Sequence, residues 1–147
     1  MIGGNTMNKL NNSFFQGNEV LFVGYSSRNG AYSKGIYQAF TNHNIKVYPY
    51  NTKENASYDI KVYKSLAELP SMPKNVFILL NKENTTKAVK QLIGKGVQRI
   101  LFYSAKAVDQ EILDECKKAG IETAAGCPMM IYGTGFHKFH GFLAGVK

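Results

Sequence analysis

Five short apolar runs alternate along the chain with segments whose apolar residues recur at helical spacing. The first run, Val20-Leu21-Phe22-Val23, is unbroken, as in a strand covered on both faces. Ile36, Ala39, Phe40 and His43 then recur at helical intervals and predict a helix over 31–43. Asn44 follows, where a left-handed cap commonly stands. A second strand is predicted over 46–50, and Ser65-Leu66-Ala67-Glu68 reads as a capping box for a short turn stopped by Pro70. The apolar run over 76–80 predicts the third strand, and Ala88, Val89, Leu92 and Ile93 mark a helix closed near Gly96. A fourth strand falls at 100–103. The helix after it carries Asp109 and Glu111 at its start, Lys117 and Lys118 at its end and Gly120 just beyond, so charges and glycine suit both ends. A fifth, short strand falls at 121–124.

Strict alternation of strand and helix implies right-handed crossovers, a mainly parallel sheet and helices on both faces. The expected architecture is one doubly wound α/β domain with strand order 3-2-1-4-5. Its ligand would lie at the carboxyl ends of the strands, where the order reverses. That edge would collect the residues from Gly24 to Arg28, Asn51 to Lys53, and Asn81 with Lys82.

The chemistry concentrates where the first strand ends. Val23-Gly24-Tyr25-Ser26-Ser27-Arg28 leads from strand through glycine and hydroxyls into a helix, and Ser33 stands just inside that helix. Backbone N–H groups at such a helix start form an anion site. The dinucleotide pattern G-x-G-x-x-G is not completed, because Ser26 and Ser27 stand in place of further glycine. After the second strand, Asn51-Thr52-Lys53 offers an amide, a hydroxyl and a cation where an NAD fold would place an acid for the ribose. The segment suits a phosphorylated ribose, as in coenzyme A or NADP, although Lys53 alone also reads as a solvated loop residue.

Four segments in order, Val23-Gly24-x-Ser26, Val47-Tyr48-Pro49-x-Asn51, Val62-Tyr63-x-Ser65-Leu66-x-x-Leu69-Pro70 and Gly126-Cys127-Pro128, give the chain a family likeness. Over roughly 19–132 it resembles the small CoA-binding proteins related to the N-terminal domain of the succinyl-CoA synthetase alpha subunit. Tyr25 and Thr52 depart from that pattern, which often has Ala and Pro there. The resemblance implies a Rossmann-like domain binding coenzyme A or an acyl-CoA. Gly24, Ser26 and Ser27 would hold the pyrophosphate, Arg28 would serve the phosphate charges, and Tyr25 and Ser33 would complete the cofactor-binding set beside them. Asn51, Thr52 and Lys53 would lie about the ribose and its phosphate, with Asn81 and Lys82 on the same edge. The synthetases use a phosphorylated histidine on a second domain, so ligase activity is not carried over and no catalytic residue is assigned. An NADP-dependent oxidoreductase and a nucleotide-sensing interaction module are the alternatives.

Composition narrows this further. The 147 residues suit one domain, with 1–17 as a flexible leader, 18–132 as the binding domain and 133–147 as a tail packing on it or on a partner, such as a second copy. There is no apolar run of bilayer length and no secretory h-region, so a cytoplasmic protein is expected. Two cysteines, Cys116 and Cys127, are too few for a disulfide framework. The net charge of +8 comes almost wholly from dispersed lysines, with Arg28 and Arg99 the two arginines, and lacks the arginine forks and aromatic platforms of nucleic-acid readers. His137 and His140, three apart, could touch one metal or simply share a packing stripe with Phe136 and Leu143, and no metal site is assigned. Cys127 is marked as a thiol able to reach the ligand edge, or as a small buried residue at a turn.

Overall fold

In the computed structural model, residues 7, 14–26, 30–52, 58 and 60–129 are described. Five parallel strands, β1 (Glu19–Val23), β2 (Lys46–Tyr50), β3 (Asn75–Ile78), β4 (Arg99–Phe102) and β5 (Glu122–Ala125), form one sheet. The helices are α1 (Gly30–Thr41), α2 (Lys82–Leu92) and α3 (Gln110–Lys118), with 3-10 turns at Leu66–Glu68 and Ala105–Ala107.

The period-two alternation of each strand divides the core. Val20, Phe22, Val47, Phe77, Leu101 and Ala124 join Ile36, Ala39 and Phe40 of α1 on one face. Leu21, Val23, Tyr48, Val76, Ile78, Ile100 and Phe102 join Val89 and Leu92 of α2 and Ile112, Leu113 and Cys116 of α3 on the other. The doubly wound α/β architecture is therefore as the apolar pattern implies. Each fully buried large side chain contributes roughly 1.5–3 kcal/mol of transfer free energy. Among the described residues, no helix is long and apolar enough to cross a membrane.

The strand order differs from the expected 3-2-1-4-5: it is β2-β1-β3-β4-β5. Val76, Phe77 and Ile78 are at most 1% exposed, so β3 needs neighbours on both sides and covers on both faces, which an edge position cannot supply. The outer position beside β2 is taken by a single parallel bridge between Tyr50 and Tyr63. Tyr63 N–H donates to the Pro49 carbonyl at 2.8 Å, and Asn51 N–H to the Tyr63 carbonyl at 3.0 Å. Counted as a one-residue strand, Tyr63 fills the expected outermost place, and the later strands each move up by one.

Local signals account for most of the ends. Asn44 is left-handed at φ 62°, as is Gly120 at 78° after α3. The Asp109 carboxylate caps α3 by accepting from Ile112 N–H at 3.0 Å. The capping box at Ser65 does not form: Ser65 makes no side-chain cap bond, and Glu68 accepts instead from Lys64 N–H at 2.9 Å. At the amino edge of the sheet the buried Asn75 donates to the carbonyls of Gln16 and Glu19. Phe14 and Phe15 are buried with Val20, Phe22 and Phe40, which ties 14–17 to the domain.

Candidate functional site

The chain leaves β1 towards β2 on one side of the sheet and returns to β3 on the other, so the order reverses between β1 and β3. A crevice outside the carboxyl ends of parallel strands is the usual ligand position in such sheets. Gly24 stands at this point with φ 98°. Its N–H donates to the Tyr50 carbonyl at 2.8 Å, while Leu79 N–H donates to the Val23 carbonyl at 2.8 Å. A Cβ on Gly24 would collide with the Leu79 carbonyl oxygen and lie 2.9 Å from Leu80 Cδ2. Strand approach and backbone conformation therefore both demand glycine here.

Beyond Gly24 the chain turns inward before α1 begins. The Tyr25 ring, 2% exposed, stacks edge-on against Phe22 and Tyr37 and lies tilted to Tyr58. The Tyr25 side chain is thus held in the aromatic core, and its backbone carbonyl is what the loop presents to Asn51. Ser26 N–H donates to the Ser33 hydroxyl at 3.2 Å, and Ser33 is fully buried. Asn51 Nδ2 donates to the Tyr25 carbonyl at 2.8 Å. The structure thus brings Gly24, Tyr25, Ser26, Ser33 and Asn51 into one cluster, with the exposed Thr52 next to it in sequence. Ser27, Arg28 and Lys53 lie outside the described residues, as do His137 and His140.

Asn81 and Lys82 occupy the carboxyl side of β3. The Asn81 side-chain oxygen accepts from Asn84 N–H at 2.8 Å and caps α2, whose first residue is the exposed Lys82. Thr85, buried beneath, donates to the Leu80 carbonyl at 3.2 Å. These bonds give Asn81 a helix-capping role at the edge where a ligand role was expected.

The loop after β5 reaches the same side of the sheet. Cys127 is half-buried and free, and Tyr32 Oη donates to its Sγ at 3.3 Å. Partial burial first, then this bond and the nearby Cys127 and Tyr103, push the Tyr32 phenol well above its usual value and keep it a proton donor. Met129 rests against α1 at Gly35, where a Cβ would come 2.8 Å from its sulfur. Tyr32 was not among the expected site residues. Its contact spans 95 positions of sequence, and nothing local to the first helix turn announces it. Cys116, by contrast, is fully buried in α3, and burial followed by the Glu115 charge raises its thiol to about 11. His43 follows the end of α1 at the opposite edge, its Nδ1 3.1 Å from the Ala39 carbonyl of the last turn. Among the described residues, no three His, Cys, Asp or Glu side chains are grouped to hold a metal.

Comparison with known proteins adds three kinds of likeness. A family model described as a CoA binding domain matches residues 18–133. Trans-feruloyl-CoA synthase FCS1 from an unknown prokaryotic organism is 27% identical over a 119-residue alignment that covers 78% of this chain. The matched part is 16% of that protein's length. Among solved structures, a conserved hypothetical protein from Pyrococcus furiosus superposes with a TM-score of 0.61 at 22% identity, covering 74% of this chain and 93% of that one. A hypothetical protein from Pyrococcus horikoshii OT3 gives 0.64 at 23%, covering 77% and 79%. A protein from Thermus thermophilus gives 0.64 at 13%, covering 78% and 87%. At these identities the three structures speak for the fold.

Proposed function

Because the chain belongs to the CoA-binding domain family, we propose that it binds coenzyme A or an acyl-CoA at the carboxyl edge between β1 and β3. The start of α1 takes the pyrophosphate there. The observation that carries this reading is the Gly24 loop, held against Tyr50 and Leu79 where the strand order reverses, in the connection between β1 and the twelve-residue α1. Backbone N–H groups at that helix start, with the flanking Ser27 hydroxyl and Arg28, supply donors and charge for the bridging phosphates. Asn51 and Thr52 follow β2, and Lys53, next in sequence, is assigned to the 3′-phosphate of the ribose. Lys82, exposed beside β3, adds positive charge to the same edge.

The reading is of a cytoplasmic binding domain rather than of a catalyst. The chain corresponds to 16% of the synthase it resembles, so that protein's reaction is not carried over with the fold. A thermal-shift series with CoA, acetyl-CoA, NADP, NAD and ADP tests the proposal. CoA is expected to raise the melting temperature most, since a ligand at 100 times its Kd adds about 2.7 kcal/mol. NADP in first place would move the reading to a nicotinamide-dependent protein. Stabilisation by NAD without stabilisation by CoA would overturn the assignment of the Asn51 segment.

A further inference from the structure

Ser33 and Asn51 carry the polar groups that a ligand would find attractive, yet the structure turns both towards the loop backbone. The Ser33 hydroxyl is fully buried and accepts from Ser26 N–H at 3.2 Å, reaching from the first turn of α1 to the loop before it. The Asn51 amide, at the end of β2, donates to the Tyr25 carbonyl at 2.8 Å. Between these two ties the Tyr25 ring is locked among Phe22, Tyr37 and Tyr58. Gly24 is bonded to Tyr50 on the β2 side and pressed against the Leu79 carbonyl on the β3 side. The described part of this loop, Gly24 to Tyr25 to Ser26, is therefore held by a helix, two strands and the aromatic core at once.

We propose that Ser33 and Asn51 are positioning residues: they touch the loop rather than the ligand, and preset its backbone for the pyrophosphate. This rests on the coenzyme reading above. A phosphate bound by backbone N–H groups gains from donors already aimed at it, because ordering a loop at the moment of binding subtracts from the affinity. A buried serine hydroxyl and a short amide suit this task. Each satisfies one backbone group of the loop without adding a charge that would compete with the ligand. The consequence for specificity is definite. Both residues act on the part common to every ligand with a pyrophosphate, whereas discrimination of the ribose phosphate falls to the residues after Asn51.

The test combines amide exchange with binding. In ligand-free Ser33→Ala, Ser26 N–H is expected to exchange faster than in the wild type, with exchange in α3 unchanged. Affinity for CoA and for dephospho-CoA is expected to fall by the same factor, about five- to tenfold, the worth of one net hydrogen bond. Asn51→Ala should show the same equal loss for both ligands. Gly94→Ala, at the far end of α2, serves as a variant of lowered stability with affinity unchanged. Unaltered Ser26 exchange together with lost affinity would make Ser33 a direct ligand contact and overturn the proposal. Unaltered affinity in both Ser33→Ala and Asn51→Ala would overturn it equally, as would a loss confined to one of the two ligands. A wild-type chain that binds neither ligand would sink the coenzyme reading instead, an outcome visible before any variant is made.

Discussion

Replacing Gly24 with alanine separates two costs that usually arrive together. At φ 98° an L-residue is strained, and here its Cβ would also strike the Leu79 carbonyl and crowd Leu80. The conformational term is about 1–2 kcal/mol. The forced shift of packed neighbours adds about 1–3 kcal/mol, the range for overpacking a core. Alanine regains roughly 0.4–1 kcal/mol by restricting the unfolded chain, which trims the sum slightly. Gly94 has a similar positive φ, 88°, but nothing within 4 Å of where its Cβ would lie. Gly94→Ala should therefore cost the strain term alone. Denaturant unfolding of both variants is expected to show Gly24→Ala less stable than Gly94→Ala by about 1–3 kcal/mol, the overpacking term. At about 3 °C per kcal/mol for a domain of this size, that is a gap of roughly 3–9 °C in Tm. The packing term should also be felt at the ligand edge, so CoA affinity falls in Gly24→Ala and holds in Gly94→Ala. Equal losses of stability in the two variants would refute the argument, because the close approach of β1 and β3 would then place no demand of its own on Gly24.

Lys53→Ala should weaken CoA by roughly 1–3 kcal/mol, as for a hydrogen bond to a charged group, and leave dephospho-CoA nearly unaffected; isothermal titration with both ligands checks it, and equal losses would return Lys53 to the solvated surface. The Cys116 thiol, raised from 9.0 to about 11 in the fold, favours the protonated side chain, so its contribution is complete below pH 9 and is lost as pH rises from 9 to 11. The stability difference between wild type and Cys116→Ala should therefore shrink across that window, and a constant difference in urea titrations would refute the linkage. Incubation with CoA disulfide should label Cys127: its thiolate attacks one sulfur, a protein–CoA disulfide forms, and the second CoA leaves as the thiolate. Peptide mass mapping reads the site, and an adduct on Cys116, or none on Cys127 in a protein that binds CoA, would make Cys127 a packing residue beside Tyr32.

Much of the fold was legible because burial on two faces leaves a plain mark. Val20 to Val23 and Val76 to Ile78 are apolar without interruption, and both lie inside the sheet. The dipole-matched ends of α3 and the left-handed Asn44 and Gly120 likewise follow from local chemistry. The strand order was less legible. It turned on whether the Val62-Tyr63 segment counts as a strand, and one bridge at Tyr63 decides that through pairing with Pro49 and Asn51, a non-local matter. The same physics also held the clue: an unbroken apolar run of the quality of β3 belongs beside β1, not at an edge. The contact of Tyr32 with Cys127 left no trace in sequence, because it depends on how the loop after β5 lies across α1.

The edge where these residues gather was legible, but the partner each side chain bonds was not, and one physical fact explains the difference. Residues that bind a phosphate and residues that hold a tight loop are drawn from the same short set of glycine, serine, threonine and asparagine, since both tasks need small groups that meet backbone donors and acceptors. Sequence can therefore point to the edge where such residues gather, and it did so for Gly24, Ser26, Asn51 and Asn81. It cannot say which way each one faces. Gly24 answers to Leu79, Ser33 to Ser26, Asn51 to Tyr25 and Asn81 to Asn84. A site that recognises its ligand through backbone N–H groups needs such internal ties, because the donors are useful only if something else holds them still. Substituting side chains at this edge should then alter affinity chiefly by moving the backbone, with Lys53 as the test of the exception.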